Sequence, residues 1–476
     1  MVATTQPMTP TTSTQKVRRV ALEGKRAQGR QLQLLRRVRR ADPFSVHVEA
    51  DDPSLTSAAG LVGLARWLRR QEVDAQLQRH FGGIKRGARV VYPMAAQMRL
   101  LMDLQFTGRG RVFALESLAA DPLFTHLAGG FVPSIDTLYD DLARFDDDAL
   151  EDLGAMVSEH GLAALRGKKF SMVHVDIDTT VEVVFGEQME GARPGPNPRY
   201  HGRPSYHPIL ATIAETGTLA GIALRPGDTG FGEDDIPTLR RWLQRIRHEV
   251  GPDCVIVVRI DAAGDCAKLL KALQELGVFY VIKAVMNTQL REAATLVTRW
   301  HTMDRDADGA PIRQVAEVPF ARKVWKQEGV DARVIALREK DRAHGRQLFL
   351  WGDLDWTTQA ILTNARRHPE ECAEDLDEVV RHYNGRAEIE PLIADLKGAW
   401  GIGEIPSQQY EANAAMLLLK ALCFNLFVRY VAANRPHLVG WRTPWARQVV
   451  VLIPGRLVRS GRQWTLRVPP SARWLN

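Results

Sequence analysis

The chain has 476 residues, 45% of them hydrophobic, and a formal net charge of +7; this is the ordinary composition of a globular protein with room for roughly two to four domains. Cys254, Cys266, Cys372 and Cys423 show no CxxC or other metal-ligand spacing, which argues against a zinc module or a disulfide framework and suits a reducing cytoplasm. The N-terminus lacks the apolar core of a secretory signal, and the strongest apolar run, 414–433, contains Lys420, Asn425 and Arg429, so it reads as a buried helix rather than a membrane span.

The positive charge is unevenly placed. Residues 1–41 hold ten Lys or Arg against the single acid Glu23, a net +9, and the remainder is −2. Such an arm is an electrostatic footprint for polyanions. Residues 1–15, rich in Thr, Pro and Ser, are expected to be disordered. Within 25–40, Leu32, Leu34, Leu35 and Val38 among arginines predict a short basic helix.

From 54 to about 165, apolar residues recur at helical spacing in 61–68, 94–104 and 149–165, which predicts an all-α domain. Inside it, 121–128, a Gly-Gly-Phe-Val-Pro turn, and 134–145 read as helix, turn and a second helix capped by Ser134. That second helix carries Asp136, Asp140 and Asp141 against Arg144, an acidic face poorly suited to reading DNA.

At Phe170 the texture turns to β. The run 171–178 ends in Asp178-Thr179-Thr180, and 181–185 reads as another strand. Asp176 and Asp178 are two apart and share one side of the strand, so geometry alone does not choose between them. A Pro/Gly-rich loop, 191–207, carries Arg193, Arg199 and Arg203. Strands are expected at 209–215 and 219–224, a helix at 234–250, and a buried strand at 254–260 that stops at Asp261. A helix at 265–276 and a strand at 278–283 follow. This order is that of an RNase H-like α/β fold, in which the first and fourth strands are neighbours and Asp178 and Asp261 meet at adjacent strand ends.

Glu390 lies 129 positions after Asp261, far more than a strand and a helix need. Strand-like alternation at 315–318, 330–337 and 347–351 predicts an inserted β subdomain holding Trp325 and Trp351 among Arg322, Lys323, Lys326 and Arg333. A helix over 370–382 then leads to Tyr383, Arg386, Glu390 and Lys397. On one continuous helix these four fall within roughly 60° of one another, a face that suits a hard cation beside a phosphate. Pro391 moves the expected helix start to about Ala387, with Tyr383 and Arg386 at its entrance.

The pattern Y-x2-R-x3-E-x6-K, together with Asp178-Thr179-Thr180, resembles the signature of bacterial insertion-sequence transposases of the DDE type, the IS4-like and IS1380-like families. The resemblance covers about 170–435. It implies a catalytic trio of Asp178, Asp261 and Glu390, with Asp176 as second choice, holding two Mg2+ ions or Mn2+ in their place. It further implies DNA contacts by Tyr383, Arg386 and Lys397, and stacking of Trp325 on a displaced base. Its partners would be terminal inverted repeats and target DNA, its assembly a homodimer, its location the cytoplasm at the nucleoid, with no membrane. The expected divisions are a basic arm (1–53), a helical DNA-binding domain (54–168), a core in two parts (169–290 and 366–435) around the insertion (291–365), and a tail (436–476). A catalytically inactive DNA-binding derivative and a stand-alone metal-dependent nuclease are the competing readings.

Overall fold

The structure, a computed structural model, describes residues 23, 25, 26, 28, 30 and 47–475, apart from 187, 196–199, 341–355, 366–372 and 405–406. It comprises two compact units, Met1–Pro53 and Ser54–Asn476. In the first, Glu23, Lys25, Arg26, Gln28 and Arg30 are helical and exposed. The expected disorder of 1–15 and most of the basic helix lie outside the described residues, as do Arg199 and Trp351.

The second unit begins with helices α1 (Leu61–Arg70), α2 (Val73–Phe81), α3 (Met94–Phe106), α4 (Pro122–Leu127), α5 (Ile135–Leu142) and α6 (Asp147–Leu162). Local chemistry starts several of them. The Asp121 carboxylate accepts the N–H groups of Leu123 and Phe124 at 3.0 and 3.1 Å, and the Ser134 hydroxyl accepts that of Thr137 at 3.2 Å. One short strand, Leu55–Thr56, precedes them and pairs with Gly455–Ser460 near the C-terminus.

Among the described residues, nine strands make the central sheet: β1 (Met172–Thr179), β2 (Ile209–Ile213), β3 (Thr218–Ala223), β4 (Val255–Ile260), β5 (Phe279–Lys283), β6 (His301–Arg305), β7 (Pro311–Val318), β8 (Arg333–Lys340) and β9 (Trp356–Thr363). Their order is β6-β7-β8-β9-β5-β4-β1-β2-β3, with β4 parallel to both β1 and β5 and the remaining pairs antiparallel. The inserted strands therefore do not form a sheet of their own. β9 pairs with β5 through Ile361↔Lys283 and Leu362↔Ile282, satisfying an edge that would otherwise present unpaired backbone groups.

The strand expected at 181–185 is also placed differently. Only Glu182–Val183 is extended, and it joins Pro204–Tyr206 and Arg193–Pro194 in a separate small sheet. Pro194 and Pro204 have no N–H to donate, which keeps that ladder short.

On one face of the large sheet, α7 (Ile236–Val250) and α8 (Ala267–Glu275) bury Leu239, Trp242, Ile246, Leu270 and Leu273. α9 (Lys323–Glu328) lies in the insertion. On the other face, α10 (Ala373–Asn384) packs Val379 and Val380 against Val257, Val281, Ile335 and Ile361. A 3-10 turn, Gly385–Glu388, leads to α11 (Ile389–Ala399), and α12 (Tyr410–Asn434) and α13 (Thr443–Val450) follow.

By length and composition α12 could cross a membrane, yet 89% of its most apolar window is buried inside the protein. Its polar groups are satisfied there. Lys420 Nζ donates to the carbonyls of Gly401 and Glu404 at 2.5 and 3.1 Å. The Asn425 amide donates to Val157 and Leu219 carbonyls, each at 2.9 Å, and accepts the Leu219 N–H at 2.8 Å, tying α6 to β3.

Candidate active site

Two neighbouring strands deliver the first pair of carboxylates. β1 and β4 run parallel in register as far as Ile177↔Ile260, so Asp178, still paired with Leu210 of β2, and Asp261, just past the end of β4, are the next residues on adjacent strands and lie at the same end of the sheet. Asp178 Oδ1 accepts the Thr179 N–H at 2.8 Å, and Oδ2 is 2.8 Å from Arg386 Nη2. Asp261 caps a 3-10 turn, Ala262–Gly264, by accepting the Ala263 N–H at 3.0 Å. A cap is an ordinary role for such a residue, and it leaves Oδ2 uncommitted by that bond.

The third carboxylate arrives through a broken helix. Tyr383 lies in the last turn of α10, Arg386 in the 3-10 turn, and Glu390 and Lys397 on α11. The single four-residue stripe is thus replaced by three segments. Pro391 is the third residue of α11, where a backbone N–H would have no partner within the helix, so the ring costs no helical hydrogen bond.

The carboxylates lie within range of one another's charge. Burial pushes the Asp178 carboxyl above the usual range; Arg386 and the Thr179 N–H oppose it, and the charges of Asp261 and Glu390 push it up further. Burial likewise raises the Tyr383 phenol, against Arg386 and together with Asp261 and Asp178. Arg386 contacts Asp178 directly, while Asp261 and Glu390 act on Asp178, and Asp178, Asp261 and Arg386 on Tyr383, through their charge. Arg386 Nε is buried without a hydrogen-bond partner, a donor left over for an acceptor entering the site.

Lys397 is turned elsewhere. Its Nζ donates to the Val181 carbonyl at 3.0 Å and lies 3.0 Å from Glu182 Oε1, so it joins α11 to the small sheet. Trp325, expected to stack on a displaced base, requires correction: it is 1% exposed and packed in the core. Phe320 meets its ring edge-on, and the guanidinium of Arg322 covers it at 5.0 Å. No ring face is left for a base.

Asp176 has a different fate from Asp178 although they point the same way. Arg259 on β4 forks onto its two oxygens at 2.5 and 2.7 Å, with both side chains almost wholly buried, and a third donor of that guanidinium reaches the His382 carbonyl at 3.1 Å. Even so, burial leaves the Asp176 carboxyl raised. Gly385 makes room for this fork, since a Cβ there would overlap Arg259 Nη1.

Sequence reasoning missed Arg259 and Gly385, and it missed a second support. His207 Nδ1 faces the Thr229 carbonyl at 2.9 Å and so carries the proton, leaving Nε2 to accept from the Thr179 hydroxyl at 3.0 Å. Burial lowers the imidazole's pKa and favours this neutral form. The bond steadies the residue next to Asp178.

Among the described residues, no three His, Cys, Asp or Glu side chains lie close enough to hold a metal ion in this arrangement. The donor chemistry nonetheless fits a hard cation, since Asp178, Asp261 and Glu390 offer only carboxylate oxygens. At Asp178 the positive charge is supplied by Arg386.

Comparison with known proteins gives two findings. The family model described as Transposase DDE domain group 1 matches residues 39–474. Among solved structures, one described as the cryo-EM structure of piggyBac transposase synaptic complex with hairpin DNA is similar at a TM-score of 0.46 and 11% sequence identity, over 83% of this chain and 79% of that chain. No curated protein matches.

Proposed function

Because the chain belongs to the DDE-domain transposases of group 1, matching over residues 39–474, we propose that Asp178, Asp261 and Glu390 form the acidic centre at which it cuts and joins DNA. The observation that carries this reading is the placement of Asp178 and Asp261 at the ends of adjacent parallel strands, with the charge of Glu390 felt at Asp178. The strand order β5-β4-β1-β2-β3, with β1, β2 and β3 antiparallel and β4 parallel to β1, supports an RNase H-like core.

Divalent cations held by the three carboxylates, Mg2+ or Mn2+, would activate the attacking hydroxyl and stabilise the leaving oxygen. The protein's own residues do the positioning. Arg386, with an unpartnered Nε, binds a DNA phosphate through its fork. Tyr383 presents its phenol beside the same phosphate. Lys397 acts at one remove, holding α11 and hence Glu390 against Val181 and Glu182.

In this reading the substrate is an insertion-sequence end bearing inverted repeats, acted on by a pair of chains in the cytoplasm at the nucleoid. The test is to incubate the protein with Mg2+ and DNA carrying the repeats that flank its reading frame. End cleavage followed by joined products supports a transposase. Nicks alone would point to a nuclease, and binding alone to an inactive derivative.

A further inference from the structure

The last 41 residues, 436–476, contain seven arginines and no Asp or Glu. With the N-terminal arm set aside as well, residues 42–435 carry a net −9. The net positive excess of the second unit therefore lies in a small region that contributes none of the site residues described above.

The structure shows which of these arginines are committed. Arg447 is buried, donates to the carbonyls of Ala399 and Gln105, and lies over the Trp400 ring. Arg459, Arg462 and Arg467 are exposed, and among the described residues none forms an ion pair with a carboxylate. All three belong to one hairpin, Gly455–Ser460 and Gln463–Arg467, joined by Gly461 and Arg462. Gly461 has φ +60°, the left-handed conformation that a two-residue hairpin turn requires, so Arg462 sits at the tip.

The hairpin is held in place. Leu457 is buried, and the strand Leu55–Thr56 pairs along Gly455–Arg456. Register places Arg459 opposite Trp464, with the guanidinium over the indole at 5.5 Å, and the indole in turn packs against His126 at 4.7 Å. Arg459 thus has its flat face supported and its N–H edge open to solvent. From Arg462 to Arg467 the strand runs about 17 Å. Over that length a DNA duplex presents several phosphates, at about one charge per 1.7 Å of axis.

We propose that the Arg459–Arg462–Arg467 hairpin is a second DNA-contacting surface, distinct from the catalytic centre, which grips the phosphate backbone of duplex DNA without reading sequence. Arg459 and Arg467 lie on opposite faces of the ladder with Arg462 at the tip between them, so the ribbon offers cations without acidic partners to a phosphate backbone running along its rim. An anionic lipid surface offers the same charge, but Trp464, the hairpin's exposed large apolar side chain, is packed against His126 rather than offered for insertion. The proposal rests on DNA being the substrate.

The test is equilibrium binding of random-sequence duplex to the full chain, without divalent metal, across a salt series. Replacing the three residues together by Gln (R459Q/R462Q/R467Q) should reduce the slope of log affinity against log salt by about 2 to 3, since each phosphate contact contributes about 0.9. The corresponding Lys triple should keep the wild-type slope, and equal melting temperatures would show that folding is intact. An unchanged slope in the Gln triple overturns the proposal, as does unchanged duplex binding accompanied by lost binding to phosphatidylserine vesicles. A wild-type chain that binds no duplex would instead overturn the reading of DNA as substrate.

Discussion

Asp176 and Asp178 stand two residues apart on the same side of β1, and their neighbours separate their roles. Arg259 commits Asp176 to a buried fork, whereas Asp178 lies at the strand end beside Arg386, Asp261 and Glu390. Removing one partner of a buried pair leaves an uncompensated charge, so Arg259→Ala is expected to cost about 3 to 5 kcal/mol in denaturant unfolding. Gly385→Ala would drive a methyl into the same guanidinium, with an expected loss of about 1 to 3 kcal/mol; a stability equal to wild type would show that the fork has room to move. The signal for this pair was present in the sequence. Arg259 interrupts the apolar run 254–260, and a charge inside a buried strand calls for an opposite charge on a neighbouring strand. The residue type was legible there, but its partner depended on which strand lay alongside.

At the scale of elements, the sequence was most informative where one local cause sufficed. Asp121 and Ser134 start α4 and α5 through their own side chains, and Pro391 marks the entrance of α11. The β5–β9 pairing was not legible, because an antiparallel neighbour some eighty residues away leaves no periodic trace in either strand. Trp325 misled for a related reason: flanking Arg and Lys suggested exposure, yet the ring belongs to the sheet's core and Arg322 pairs with Asp265.

One inter-element junction should also govern the response to acid. His160 on α6 is buried and contacts Arg429 of α12 and Gln76 of α2, at 2.8 and 2.7 Å. Burial, then Arg429 and Arg166, hold its pKa down at about 3 against an ordinary 6.5. The unfolded chain therefore takes up a proton below 6.5 that the folded chain refuses until about 3. The stabilising effect of neutral His160 is complete above the unfolded value and is lost as pH falls through this window, by up to about 1.4 kcal/mol per pH unit. Melting curves across roughly pH 7 to 5 should show a shallower fall in His160→Gln than in wild type, and parallel slopes would contradict the assignment.

Over the whole molecule, one sheet positions chemistry supplied from distant parts of the chain. β1 and β4 bring Asp178 and Asp261 to a common end of the sheet, while the 3-10 turn and α11 supply Arg386 and Glu390 after the inserted strands have extended the same sheet. The central claim is that these three carboxylates act together and that Asp176 serves the fold. The most direct measurement compares Mg2+-dependent cleavage of repeat-bearing DNA with metal-free duplex affinity in Asp178→Asn, Asp261→Asn and Glu390→Gln. Each variant is predicted to lose cleavage while retaining wild-type affinity and melting temperature. Wild-type cleavage by any one of the three would contradict the account.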